Sequence, residues 1–426
     1  MTLRGILRNL LLSLFSLAIA LLLAEWVLRI ALFNGWGIAK NVRNATIYSE
    51  VHPDASSPMY AANYWKLYTL FGGEERPPKQ PHPLLGWVGN FDRTSLLHHE
   101  HVHVGRRRPV LLYGDSFAQC VESTCFQDIL KNDSAFSTGH YLLNYGVGGF
   151  GLDQIGLLCT RSVDLYEKPF VVLSFMTRDL ERACLDWRNG EKPYYTLEND
   201  GLELRNSPID PDPLRYLDEH PPEVGSYLWR LFSHVARKDT VPGPEETEAF
   251  ITRAKELNRR ILHQAIADLR SRGLEFMVVV FDPLYRYEGD WRRDFIRDLL
   301  REEQVPYFFT LDLLRRNGYF GGDYQRFETP RHGHPTTYQN EQVAAMIAQC
   351  AMDPRRNERL AAFNREAIRL EVALRDTSSL EYQISRISMD SAWTAAVATK
   401  AHEKGITLDS MLVLDALWTM HERGIQ

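Results

Sequence analysis

Three short segments contain residues whose types and spacing could do acyl-transfer chemistry. The first is Tyr113-Gly114-Asp115-Ser116-Phe117, where an apolar run ends in glycine followed by a serine. A serine so placed can present its hydroxyl at a sheet rim and its backbone N–H toward a developing oxyanion. The same letters also suit a helix N-cap formed by Asp115 or Ser116. The second is Asn144-Tyr145-Gly146-Val147-Gly148-Gly149-Phe150-Gly151. Its glycines let the backbone approach a ligand closely and turn N–H groups into a site. It lacks the GxGxxG order of a dinucleotide loop. The third is Arg331-His332-Gly333-His334-Pro335, just before a helical pattern. A histidine there can swing over the strand ends and accept a serine proton, or instead cap the helix or bind metal with its neighbour.

A fourth cluster, His98, His99, His101 and His103, could place its last three members on one face of an extended segment, as metal ligands would stand. No second ligand group at a recognisable spacing accompanies it. The cluster therefore reads as a solvated or pH-sensitive edge, and no metal or organic cofactor is expected.

Positioning such residues takes a regular scaffold. Short, wholly apolar runs recur at Pro109 to Tyr113, Tyr141 to Tyr145, Phe170 to Met176, Leu274 to Phe281 and Val305 to Leu311, separated by helical patterns. Strands buried on both faces look like this. The expected core is a doubly wound, flavodoxin-like α/β parallel sheet of about five strands, whose ligands bind outside the carboxyl ends. All three candidate segments fall at such ends.

The chain has 426 residues, enough for more than one structural unit. Its net charge of -6 gives no basic field for nucleic acid. The five cysteines are scattered and odd in number, so neither a disulfide scaffold nor a paired zinc site is suggested. Cys120 and Cys125 are close enough to bridge in an oxidising compartment, or are two semi-buried thiols.

From Leu10 to Ala24 the sequence is apolar or small throughout, and it continues to Phe33 with Glu25 and Arg29 sharing one helix face. A bilayer takes about 20 such residues. Arg4, Arg8 and the amino terminus lie before the run and Lys40 and Arg43 beyond it, a small excess of positive charge that favours residues 1–8 in the cytoplasm, a transmembrane anchor over 9–33 and the bulk outside. A cleaved signal peptide is the alternative, but the run is long and no convincing A-x-A site follows it.

Residues 34–104 read as an irregular lead-in and 105–350 as the catalytic domain. A Pro-rich insertion at about 188–244 is long enough to suggest an active-site cap. Residues 351–426 form a helical extension whose stripe of Leu360, Phe363, Ala367, Leu370 and Leu374 should dock on the sheet domain or a partner.

The three segments, in this order, resemble the SGNH (GDSL-type) hydrolase family over roughly Val110 to Cys350. The nucleophile motif falls on Gly114, Asp115 and Ser116. The N-x-G-x-x-G block falls on Asn144, Gly146 and Gly149, and the histidine of the G-H-P context on His334. GVGGFGLDQ, PHPLLGW and DGLELRNSPI look like segments of bacterial, membrane-anchored members. The resemblance implies Ser116 as nucleophile and His334 as base. The oxyanion would be held by the N–H groups of Ser116 and Gly149 and by an asparagine after the third strand.

At that last position the chain has Arg178, before Asp179. A guanidinium could donate to an oxyanion, or pair with Asp179 or Glu181. Family members carry an aspartate two or three residues before the histidine, where this chain has His332 and Arg331. A Ser116–His334 dyad is expected, with Glu328 and Asp323 the nearest carboxylates that could swing in.

The function implied is a serine esterase or O-acyltransferase acting on an acylated, most simply acetylated, envelope glycan or lipid from a periplasmic position, without nucleic acid. The rival is a catalytically degenerate SGNH domain that binds a polysaccharide or a partner.

Overall fold

The computed structural model describes residues 3–49, 61–73, 77–199, 201–236, 244–282, 290–319, 324–329 and 333–423. The chain divides into two compact units, Met1–Trp87 with Cys184–Leu257, and Val88–Ala183 with Asn258–Gln426.

The second unit holds a five-stranded parallel sheet: β1 (Arg108–Gly114), β2 (His140–Gly146), β3 (Phe170–Met176), β6 (Glu275–Phe281) and β7 (Tyr307–Phe309), in the order β2-β1-β3-β6-β7. The order turns at β1 and β3, as in a flavodoxin-like doubly wound sheet. Strand residues are buried on both faces. Val110, Leu112, Val172, Met277 and Val279 pack with Phe126, Val343, Ile347 and Phe363 in one cluster. On the opposite face, Tyr113 reaches Ser162 of the helix Leu152–Ser162, with 2.9 Å between hydroxyls. Two-sided burial is why these strands read as unbroken apolar runs.

β7 is shorter than the apolar run Val305 to Leu311 suggests. The chain turns into the helix Thr310–Arg316, and Leu311 and Leu314 pack in that form with Tyr319 and Phe327. A short apolar run serves a buried helix as well as a strand.

In the extension, the helix Arg356–Ala373 buries Leu360, Phe363 and Ala367. The next buried position is taken by Glu371 rather than Leu370 or Leu374, because its carboxylate pairs with buried Arg297 at 2.8 Å. Beyond it, the helices Leu380–Met389, Ser391–Lys404 and Leu408–Glu422 close their own small core around Ile387, Val397, Met411 and Ala416.

The first unit begins with the 31-residue helix Leu3–Phe33. Its most apolar stretch has a mean hydropathy of 2.3, so by length and composition it could cross a membrane. Glu25 and Arg29 pair at 2.6 Å, as their spacing suggests. The lead-in and the insertion build this unit together. Lys66 pairs with Asp186 at 3.0 Å, and Trp65, Trp187 and Tyr216 share a core cluster. Within the insertion, β4 (Tyr194–Glu198) and β5 (Gly201–Arg205) form an antiparallel hairpin that its Pro-rich surroundings disguise.

Candidate active site

β1 and β2 pair in register from Arg108 opposite His140 to Gly114 opposite Gly146, so the loops carrying the serine and the glycine block leave the sheet side by side. Ser116 opens a one-turn helix, Ser116–Gln119, capped by Asp115, whose carboxylate accepts the Phe117 N–H at 2.9 Å. The helix-cap reading of this motif therefore holds for Asp115. Asp115 is the cap, and Ser116 is left at the rim.

Glycine is required here by contact. A Cβ on Gly114 would lie 2.4 Å from Ser174 Oγ, and one on Gly146 would lie 2.4 Å from the Gln119 backbone nitrogen. Gly148 comes close enough that a Cβ there would sit 3.8 Å from Ser116 Cβ, and Gly149 adopts a φ of +84°. The glycine block is packed against the turn that bears Ser116.

His334 Nε2 lies 3.1 Å from Ser116 Oγ, across 218 residues of sequence. An imidazole at that distance can take the hydroxyl proton. The ring packs 5.5 Å from that of Phe117. Its backbone is held by Thr329: the Thr329 N–H donates to the His334 carbonyl at 2.7 Å, and the His334 N–H to Thr329 Oγ1 at 3.2 Å.

Glu328 is buried and bridges antiparallel to Pro335. Its charge is felt at Tyr319, whose hydroxyl is pushed up to about 12 by burial first and by Glu328 next. Asp323 and His332 lie outside the described residues.

Asn144 has a structural task. Its Oδ1 accepts the Gly146 N–H at 2.9 Å, and its Nδ2 donates to the Ala118 carbonyl at 2.8 Å and to Gln127 Oε1 at 3.1 Å. It clamps the glycine block to the segment after Ser116. That segment also carries a disulfide, Cys120–Cys125, with Cα atoms 5.2 Å apart. Arg178 is buried beside the short helix Asp179–Arg182. Burial pushes the Glu181 carboxyl well above the usual carboxylate range, the Arg178 charge works against that, and Glu181 is ion-paired with buried Arg292.

Arg182 was not singled out by its sequence. Its Nη1 lies 3.1 Å from Asp115 Oδ2, 2.5 Å from Asp179 Oδ1 and 3.5 Å from the Phe150 carbonyl. It thus ties the serine loop, the β3 loop and the glycine block together. The i,i+3 spacing of Asp179 and Arg182 was the available signal, but it indicates a local pair and not the link to Asp115.

The reading of the histidine cluster as a solvated edge is corrected for His98. This ring is buried, with Nε2 3.0 Å from the Asn144 carbonyl and Nδ1 accepting the Glu100 N–H at 3.1 Å. Both nitrogens are engaged, so the proton sits on Nε2. Among the described residues, no group of three or more His, Cys, Asp or Glu could hold a metal ion.

No protein-family model and no curated protein matches the chain. Among solved structures, it is similar to an α/β hydrolase enzyme from the metagenome of Lake Arreo, Spain, at 13% identity over 57% of this chain and 94% of that one, with a TM-score of 0.28. It is also similar to a catalytic mutant of an acetylxylan esterase from Geobacillus stearothermophilus, at 13% identity over 57% of this chain and 93% of that one, with a TM-score of 0.27.

Proposed function

We propose that the chain is a membrane-anchored serine ester hydrolase or O-acyltransferase of the SGNH type, acting on an acylated envelope glycan or lipid through an acyl-Ser116 intermediate. The observation that carries this reading is the 3.1 Å approach of His334 Nε2 to Ser116 Oγ, where the β1 loop meets the glycine block. His334 removes the hydroxyl proton as Ser116 attacks the ester carbonyl, and returns it to the departing alcohol. The backbone N–H groups of Ser116 and Gly149 hold the oxyanion. Water or a second hydroxyl then resolves the acyl-enzyme, with His334 again the base. Acetyl is the simplest acyl group that fits the reading.

Residues 9–33 serve as the anchor, with the catalytic body outside the cytoplasm. Three features support this placement: the exposed apolar helix, the positive charge of Arg4 and Arg8 before it, and the Cys120–Cys125 bridge, which suits an oxidising compartment. Retention of the helix is favoured over cleavage because Ala31 and Leu32 at its end are buried in a cluster with Tyr48, Leu67 and Tyr227.

The test is labelling of the full chain with a fluorophosphonate, alongside turnover of p-nitrophenyl acetate. The adduct is expected on the peptide containing Gly114 to Gln119, with label and turnover both lost in Ser116→Ala. Equal turnover by the two proteins, with no adduct on Ser116, would instead favour the polysaccharide-binding or partner-binding module.

A further inference from the structure

The helix Leu3–Phe33 does not end as a free stalk. Along most of its length its apolar side chains are exposed, from Ile6 to Trp26. Then Glu25 turns its carboxylate onto the start of a second helix, Tyr227–Ala236. It accepts from Ser226 Oγ at 2.8 Å, from the Tyr227 N–H at 3.0 Å and from the Leu228 N–H at 2.8 Å. A carboxylate 202 residues away in sequence therefore caps this helix. Arg29 completes the joint, with its guanidinium 2.6 Å from Glu25 and 4.8 Å from the centre of the Tyr227 ring. Phe33 adds an edge-on contact to the same ring at 5.6 Å.

The capped helix reads YLWRLFSHVA and is apolar on two sides. Tyr227 and Leu231 face inward, packed in the cluster that holds Ala31 and Leu32. On the outward side, Trp229 is 66% exposed, Phe232 58% and Val235 79%. These three recur every third residue and form one stripe. An aromatic-rich exposed stripe on a short helix is costly in water and suits the interfacial zone of a bilayer, where tryptophan is enriched. The stripe begins within one turn of the residues that Glu25 caps, where the exposed apolar run of the long helix ends.

We propose that Tyr227–Ala236 is a second membrane contact, an interfacial helix whose Trp229, Phe232 and Val235 enter the headgroup region of the bilayer that the N-terminal helix crosses. The proposal rests on the membrane-anchor reading. Its occupant is lipid, because the stripe is continuous, through the Glu25 joint, with a helix long and apolar enough to cross a membrane. The consequence is a joint that fixes the helix exit at the membrane surface, rather than a body swinging on a single tether.

The test uses the full chain in phospholipid nanodiscs containing a lipid with a diazirine near its headgroup, with adducts mapped by mass spectrometry. Adducts are expected both within Ile6 to Ala24 and within Leu228 to Val235. In a variant carrying Trp229→Ser, Phe232→Ser and Val235→Ser, which leaves the inward Tyr227 and Leu231 intact, the second group of adducts should disappear while the first persists. Adducts confined to the N-terminal helix in the unaltered chain would overturn the interfacial helix and leave the anchor standing. Adducts in neither segment would overturn the anchor itself.

Discussion

The serine and histidine of the site were legible as residues because their chemistry is tied to short local motifs, and the fold brings them within 3.1 Å. The acid position was not legible, since a carboxylate can reach a histidine from many places in sequence. Glu328 bridges Pro335 and acts on Tyr319, and the dyad reading gives it no part in the proton transfer. We therefore expect Glu328→Gln to lower kcat/KM by less than about tenfold, against the ~10⁴ in kcat that loss of a true triad acid costs in a serine protease. A loss of about a hundredfold or more in a folded variant would make Glu328 the acid.

The elements follow from patterns that single segments contain. Both-face burial makes the strands apolar runs, and the glycines of the second segment are demanded by the close approach of Gly146 to the Gln119 backbone. What no single element reveals is how the loops are held together, because that depends on pairs far apart in sequence. Arg182 is the example: its short helix shows the partner three residues away, but Asp115 lies 67 residues off. The side chains of Asp115 and Asp179 are both fully buried. Removing their shared cation leaves two buried carboxylates without it, and breaking such an arrangement costs about 3 to 5 kcal/mol. Arg182→Met should lose stability of that order in urea unfolding, with esterase activity falling in the protein that remains folded. Arg182→Lys should recover part of the stability. A change below about 1 kcal/mol, the range of an exposed pair, would show that the three loops hold without it.

At the scale of the whole molecule, the two units were the least legible feature, because the lead-in and the insertion become one body only through contacts such as Lys66 with Asp186. The response of the fold to acid is likewise a property of buried groups taken together. His98 and His140 in the sheet unit both have their pKa held below the ordinary histidine value, chiefly by burial. For His98, the Asn144 carbonyl and Glu100 pull the other way, and His99 and His101 add to the lowering. The unfolded chain therefore takes up protons on these rings at a higher pH than the folded one. The stability that their neutral forms contribute is fully present above about pH 6.5 and is lost as pH falls toward the lowered folded values. Glu275 has the carboxylate counterpart: Arg356 beside it lowers its pKa, so its contribution disappears only in more acid solution. The histidine contribution to the melting temperature should thus decline from pH 7.5 to pH 5.5, against the opposite contribution of Glu181 and Glu191, whose raised carboxyls let the folded chain take up protons first. His98→Gln should melt lower at pH 7.5, having lost the bond to Asn144, yet change less with acidification. An equally steep decline in that variant would show that the buried ring at the foot of the glycine block is not what senses the proton.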